Sequence, residues 1–120
     1  MGIGNGDLYA RTRLYALQVI RLVETLPRGR TADVIGKQLL RSATSVGANY
    51  RAARRAKSAA DFIAKLGIAE EEADECLYWF DLLVESGLLT REQAADLQAE
   101  GNELLAMIVA SIKTAKSRRP

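Results

Sequence analysis

A chain of 120 residues, 48% of them hydrophobic and with proline only at positions 27 and 120, has the length of one domain and enough apolar residues for a sizeable core. That composition excludes a disordered chain; the single cysteine excludes an internal disulfide, and the lack of histidine excludes sites built on imidazole. The net charge of +2 conceals an asymmetry: residues 1–60 carry 11 Lys or Arg against Asp7, Glu24 and Asp33, a balance of +8, whereas residues 61–120 carry 6 against 12 Asp or Glu, a balance of −6.

The residues up to about 6 read as a short flexible N-terminus. A first helix is predicted from about Asp7 to Leu26, because Leu8, Tyr15, Val19, Leu22 and Leu26 share one face. Pro27 and Gly29 break it. A second is predicted from Thr31, taken as its N-cap, to about Lys57, with Ile35, Leu39, Val46, Tyr50 and Ala53 facing inward. Ser58-Ala-Ala-Asp61 has capping-box spacing and opens a third helix, which presents Phe62, Leu66, Ala69, Ala73, Leu77, Phe80 and Val84 and stops at Gly87. Thr90-Arg-Glu-Gln93 is a second capping box, opening a fourth helix with Leu97, Leu104, Ile108, Ile112 and Ala115 on its face. A tail frays over residues 117–120. Short connections make successive helices antiparallel, so the expected fold is an all-α, up-down-up-down four-helix bundle forming one domain over residues 1–120.

No stretch approaches the roughly 20 apolar residues of a membrane span. The segment Met1 to Asp7 lacks the basic-then-apolar pattern of a signal peptide, so a cytoplasmic location is expected.

The residue types needed for catalysis do not assemble. No nucleophile has a histidine partner, no phosphate-binding glycine motif follows a strand, and the acidic run Glu70 to Glu75 lacks the histidines of a di-metal bundle site. No catalytic residue, metal or cofactor is expected. Cys76 borders the apolar face of the third helix and reads as a small buried hydrophobe.

Two stripes remain. On the second helix Lys37, Arg41, Arg51 and Arg55 fall together opposite the core, with Arg54 and Lys57 beside them. Such a stripe can track phosphates, since each phosphate neutralised releases a counterion. On the third helix Ile68, Glu72, Glu75, Trp79 and Leu82 recur off the core direction. A lone bundle is expected to leave Ile68, Trp79 and Leu82 wet, which predicts that they form an oligomer interface. Leu14 and Leu17 of the first helix likewise face away from its core stripe.

Arg41-Ser-Ala-Thr-Ser45-Val-Gly-Ala-Asn49-Tyr50-Arg-Ala-Ala, followed by Ser58-Ala-Ala-Asp61-Phe62-Ile63 and Glu75-Cys-Leu-Tyr78-Trp79-Phe-Asp-Leu-Leu83, resembles the proteins encoded in bacterial 23S rRNA intervening sequences. The likeness runs from about Tyr9 to Ile112. It implies a four-helix bundle that assembles into a homopentamer. It also implies kinship with the accessory proteins of diversity-generating retroelements, which partner a reverse transcriptase and bind nucleic acid. Ala52 stands where family members often carry an acidic residue.

Antiparallel pairing about the Ser58 turn puts Ser45 near Glu72 and Asn49 near Ala69. These polar side chains are expected to bond across the helices and fix register rather than hold a ligand. The resulting functional expectation is a non-enzymatic, self-assembling scaffold that presents a basic face to RNA, DNA or a nucleic-acid enzyme. The alternative is a purely structural or protein-interaction module.

Overall fold

The computed structural model describes residues 5–118, with side chains from Leu8 onward. It contains α1 (Asn5–Glu24), α2 (Arg30–Arg54), α3 (Ala59–Glu85) and α4 (Arg91–Ser117), and no strand among the described residues. Each helix packs on its neighbours in the order α1–α2–α3–α4–α1, and the diagonal helices meet only through core side chains such as Tyr15 of α1 and Cys76 of α3. The contact is broadest between α2 and α3 and narrowest between α1 and α4. This is the expected bundle, 51 × 28 × 20 Å across its principal extents.

Five boundaries depart from the sequence prediction, one of them the end of α1, which falls at Glu24 rather than Leu26. Helix α1 starts two residues earlier, at Asn5. At the start of α2 the N-cap is Gly29, with no side-chain hydrogen bond, so Thr31 lies inside the helix instead of capping it. Helix α2 stops at Arg54 rather than Lys57. The cause is Ser58, whose extended backbone (φ −155°, ψ 164°) starts the next helix and forces residues 55–57 into the turn. Finally, the tail is helical through Ser117, with Arg118 as its C-cap; residues 119 and 120 lie outside the described residues.

The Ser58 hydroxyl accepts from the Asp61 N–H at 3.0 Å. The reciprocal bond of the box is not formed, as Asp is one methylene shorter than the usual Glu. At α4 both halves form: Thr90 Oγ1 accepts from the Gln93 N–H at 3.1 Å, and the Thr90 N–H donates to Gln93 Oε1 at 2.8 Å. Gly87, at φ 84°, ends α3 in the left-handed region and lets its own and the Leu88 N–H close on Val84 and Leu83 carbonyls, both at 3.0 Å.

Tyr15, Tyr50, Phe80, Leu39, Leu66, Leu83, Leu104 and Ile108 fill the centre. Side chains of this size are worth about 1.5–3 kcal/mol each when fully buried. Of the expected inner residues Leu22, Leu26, Ile35, Phe62, Leu77, Val84 and Ala115 are partly open, and none is exposed. On α3 the buried positions 66, 69, 73, 76, 80 and 83 repeat at steps of three and four, a heptad seam. Gly101 brings α4 against α1 and α3: a Cβ there would sit 3.0 Å from the Tyr15 hydroxyl and 3.1 Å from Leu77 Cδ2.

Candidate nucleic-acid interface

Arg51 and Arg54 occupy the last turn of α2, and Arg55 is its C-cap. Cations are favoured there, because the unpaired carbonyls at a helix C-terminus carry partial negative charge. The Arg54 guanidinium lies 5.0 Å from the centroid of the Tyr9 ring on α1. Tyr9, Arg51, Arg54 and Arg55 together line a shallow open recess. Burial raises the Tyr50 hydroxyl above its ordinary pKa, with the nearby Arg54 charge pulling the other way.

The topology brings more cations to this end. Arg41 meets Glu72 and Glu75 between α2 and α3, while Gln98 meets Asp81 between α3 and α4. Counting along the antiparallel pairs from these bonds places Arg51 and Lys113 both within about one turn of Lys65. The C-terminal ends of α2 and α4 and the start of α3 therefore form one pole of the bundle. It carries Arg51, Arg54, Arg55, Lys57, Lys65, Lys113, Lys116 and Arg118, all exposed except half-buried Lys65. Among the described side chains its only carboxylate is Asp61, and none of these cations is ion-paired with another described residue.

The four stripe residues do not act as one group. All are exposed, but Lys37 lies about 20 Å along the helix from Arg51 at 1.5 Å per residue. Arg41 is committed elsewhere: it bonds Glu72 Oε2 at 3.0 Å, Glu75 Oε1 at 2.8 Å and Ser42 Oγ at 3.2 Å. Two carboxylates of the acidic run thus meet a cation of α2. The Arg side chain is long enough to cross, and the pair holds its guanidinium even more firmly protonated than usual.

Asn49 Nδ2 donates to the Ser45 carbonyl and to Ser45 Oγ, both at 2.9 Å, so this motif closes within α2. It does not bridge to Glu72, whose partner is Arg41. A donor four residues along one helix is already in reach, and that local bond satisfies the Asn before α3 is needed. The cross-helix ties that sequence reasoning missed are Arg41 and, between α1 and α4, Arg11, which meets Glu100 at 2.6 Å and Glu103 at 3.1 Å. Isolated long side chains carry no periodic signal that would have found them.

The third-helix stripe is also less exposed than expected. Trp79 packs against the core, and its Nε1 is buried without a hydrogen-bond partner among the described residues. Leu82 is half-buried. Only Ile68, 39% exposed, keeps the expected wet position, and the exposed aromatic of this helix is Tyr78, at 57%. The heptad seam rotates the true core toward Ala73 and Cys76 and carries Trp79 to its margin. Cys76 is fully buried, and burial pushes its thiol up to about 12. No group of three or more potential metal ligands is present among the described residues.

Fold and surface define an all-α bundle with one strongly basic pole. Residues 5–110 match the family model of the 23S rRNA-intervening sequence protein, and the chain belongs to that family. It is also similar to a crystal structure from Bacteroides thetaiotaomicron VPI-5482, described as a protein of unknown function from the S23 ribosomal protein family. The two share 37% identity over 91% of this chain and 97% of that one, with a TM-score of 0.85. No curated protein matches significantly. No helix among the described residues is long and apolar enough to cross a membrane.

Proposed function

We propose that this protein is a non-enzymatic, self-assembling helical scaffold of the cytoplasm that holds the phosphate backbone of RNA or DNA on its basic pole. The observation that carries this is the convergence of Arg51, Arg54, Arg55, Lys57, Lys113, Lys116 and Arg118 on one end of the bundle, facing a single described carboxylate. Cations packed this closely, with no ion pair among the described residues, repel one another, and a polyanion relieves that repulsion while releasing its own counterions. Tyr9 is the aromatic of the recess, and Arg54 lies over it. Stacking on bases is therefore secondary to phosphate contact.

Family membership supports an RNA-related setting, and the resemblance to retroelement accessory proteins extends the reading to a nucleic-acid enzyme held beside its template. Self-assembly multiplies the pole, and the resemblance implies five copies. Fluorescence anisotropy with a labelled structured RNA tests the binding. The wild type is expected to bind at low ionic strength, and Arg51→Glu with Arg55→Glu to bind at least tenfold more weakly with unchanged helicity. Wild-type protein that leaves the RNA free at low salt contradicts the proposal.

A further inference from the structure

Helix α1 turns Leu14, Leu17 and Ile20 outward, at 49%, 36% and 38% exposure. These are large apolar groups on one surface of one helix, beside the narrowest contact in the bundle. A monomer gains nothing from them, and they sit between exposed Arg13 and Arg21, which have no ion pair among the described residues. Helix α4 presents the complementary relief. Its outward residues Ala95, Ala99, Asn102 and Ala106 are exposed and small, and they are flanked by the exposed carboxylates of Asp96 and of Glu103, which meets Arg11 of its own copy at 3.1 Å and stays open to solvent on its other side.

Register joins the two surfaces. Within the bundle Arg11 meets Glu100, Glu103 and Met107, and Gly101 abuts Tyr15. Leu14 is thus level with about Asn102, Leu17 with about Ala99, and Arg13 with about Glu103, within one turn. A cyclic assembly about an axis parallel to the bundle leaves every copy at the same height. The levels found inside one copy therefore hold between neighbours: α1 of one copy, running antiparallel to α4 of the next, sets bulky side chains against small ones and bases against acids.

We infer that the outer face of α1 docks on the outer face of α4 of a second copy, with Leu14, Leu17 and Ile20 over Ala95, Ala99 and Asn102, and with Arg13 facing Glu103. The inference rests on the self-assembly proposed above and gives it a surface. Apolar burial drives the contact, while the flanking charges fix direction and register. Cyclic symmetry of this kind turns every basic pole to the same rim, so one polyanion can cross several copies.

Light scattering after gel filtration at micromolar concentration tests this on the wild type, Leu17→Glu, Arg13→Glu, and Arg13→Glu combined with Glu103→Arg, each checked for helicity by circular dichroism. The wild type is expected at a multiple of 13.1 kDa, and Leu17→Glu at the mass of one chain with helicity retained. Arg13→Glu should weaken assembly at least tenfold, and the double variant should recover it. A wild type that is itself monomeric overturns both self-assembly and this surface. An assembled wild type whose mass is unmoved by both Leu17→Glu and Arg13→Glu overturns the α1–α4 surface alone.

Discussion

The Arg54 guanidinium lies 5.0 Å from the centroid of the Tyr9 ring, tying the end of α2 to the start of α1 at the most basic part of the surface. A cation over a ring near the surface is worth about 0.5–1 kcal/mol, enough to hold a side chain in place and too little to withdraw its charge from a ligand. The contact fixes the wall of the recess while Arg51 and Arg55 have no ion pair among the described residues.

That arrangement separates the pole from the stripe. Lys37→Glu should change RNA affinity no more than about twofold, because Lys37 is some 20 Å from Arg51 along α2. Arg55→Glu should weaken binding several-fold. Equal losses in the two variants, read by anisotropy at one ionic strength, would restore the full-length stripe in place of the pole.

Two glycines give opposite expectations for the same substitution. Gly67 has nothing within 4 Å of an added Cβ, so Gly67→Ala should stabilise the bundle by about 0.5–1 kcal/mol through helix propensity. Gly101→Ala gains the same propensity, but its Cβ would lie 3.0 Å from the buried Tyr15 hydroxyl and 3.1 Å from Leu77. Overpacking of this kind costs about 1–3 kcal/mol, and the net effect should be destabilising. Urea unfolding of both variants checks the pair.

Trp79 is expected to act through packing. Trp79→Ala should lower stability by less than the about 3–5 kcal/mol of a fully buried Trp, since the ring is only partly covered. Trp79→Phe removes the buried, unpartnered Nε1 and should keep most of the stability. Thermal melts of the two variants read this directly. Full stability in Trp79→Ala would return the residue to the surface.

Alkaline pH should destabilise the fold through Cys76. Burial raises its pKa from 9.0 to about 12, so the unfolded chain gives up this proton before the folded one does. Stability from this group is intact below about pH 9 and falls as pH rises toward 12, by at most about 1.4 kcal/mol per pH unit. Buried Tyr15, also shifted upward, adds to the decline at higher pH. Between pH 9 and 10.5, urea midpoints of Cys76→Ala should fall less steeply than those of the wild type.

The helices and nearly all of the core were legible because apolar period and capping residues are local signals. Leu39, Val46, Leu66 and Phe80 are fully buried as their spacing predicts. Trp79 and Leu82 were misplaced because a wheel at 100° per residue drifts against the 3.5-residue seam over α3, and the error grows toward the helix end. The basic pole was only half legible. Arg51 and Arg55 stood out on their own helix, whereas Lys113, Lys116 and Arg118 are far away in sequence and join them only through antiparallel packing. Arg41 looked equivalent to its neighbours until Glu72 and Glu75 were found within its reach.

The salt dependence of RNA binding tests the central claim most directly. If the pole holds phosphates, the logarithm of the association constant should fall linearly with the logarithm of salt concentration, by roughly 0.7–0.9 per phosphate contacted. Several cations acting together predict a slope steeper than about −3, and Arg51→Glu with Arg55→Glu should flatten it by about two contacts. Affinity that is independent of salt, or a slope the double variant leaves unchanged, would contradict the account.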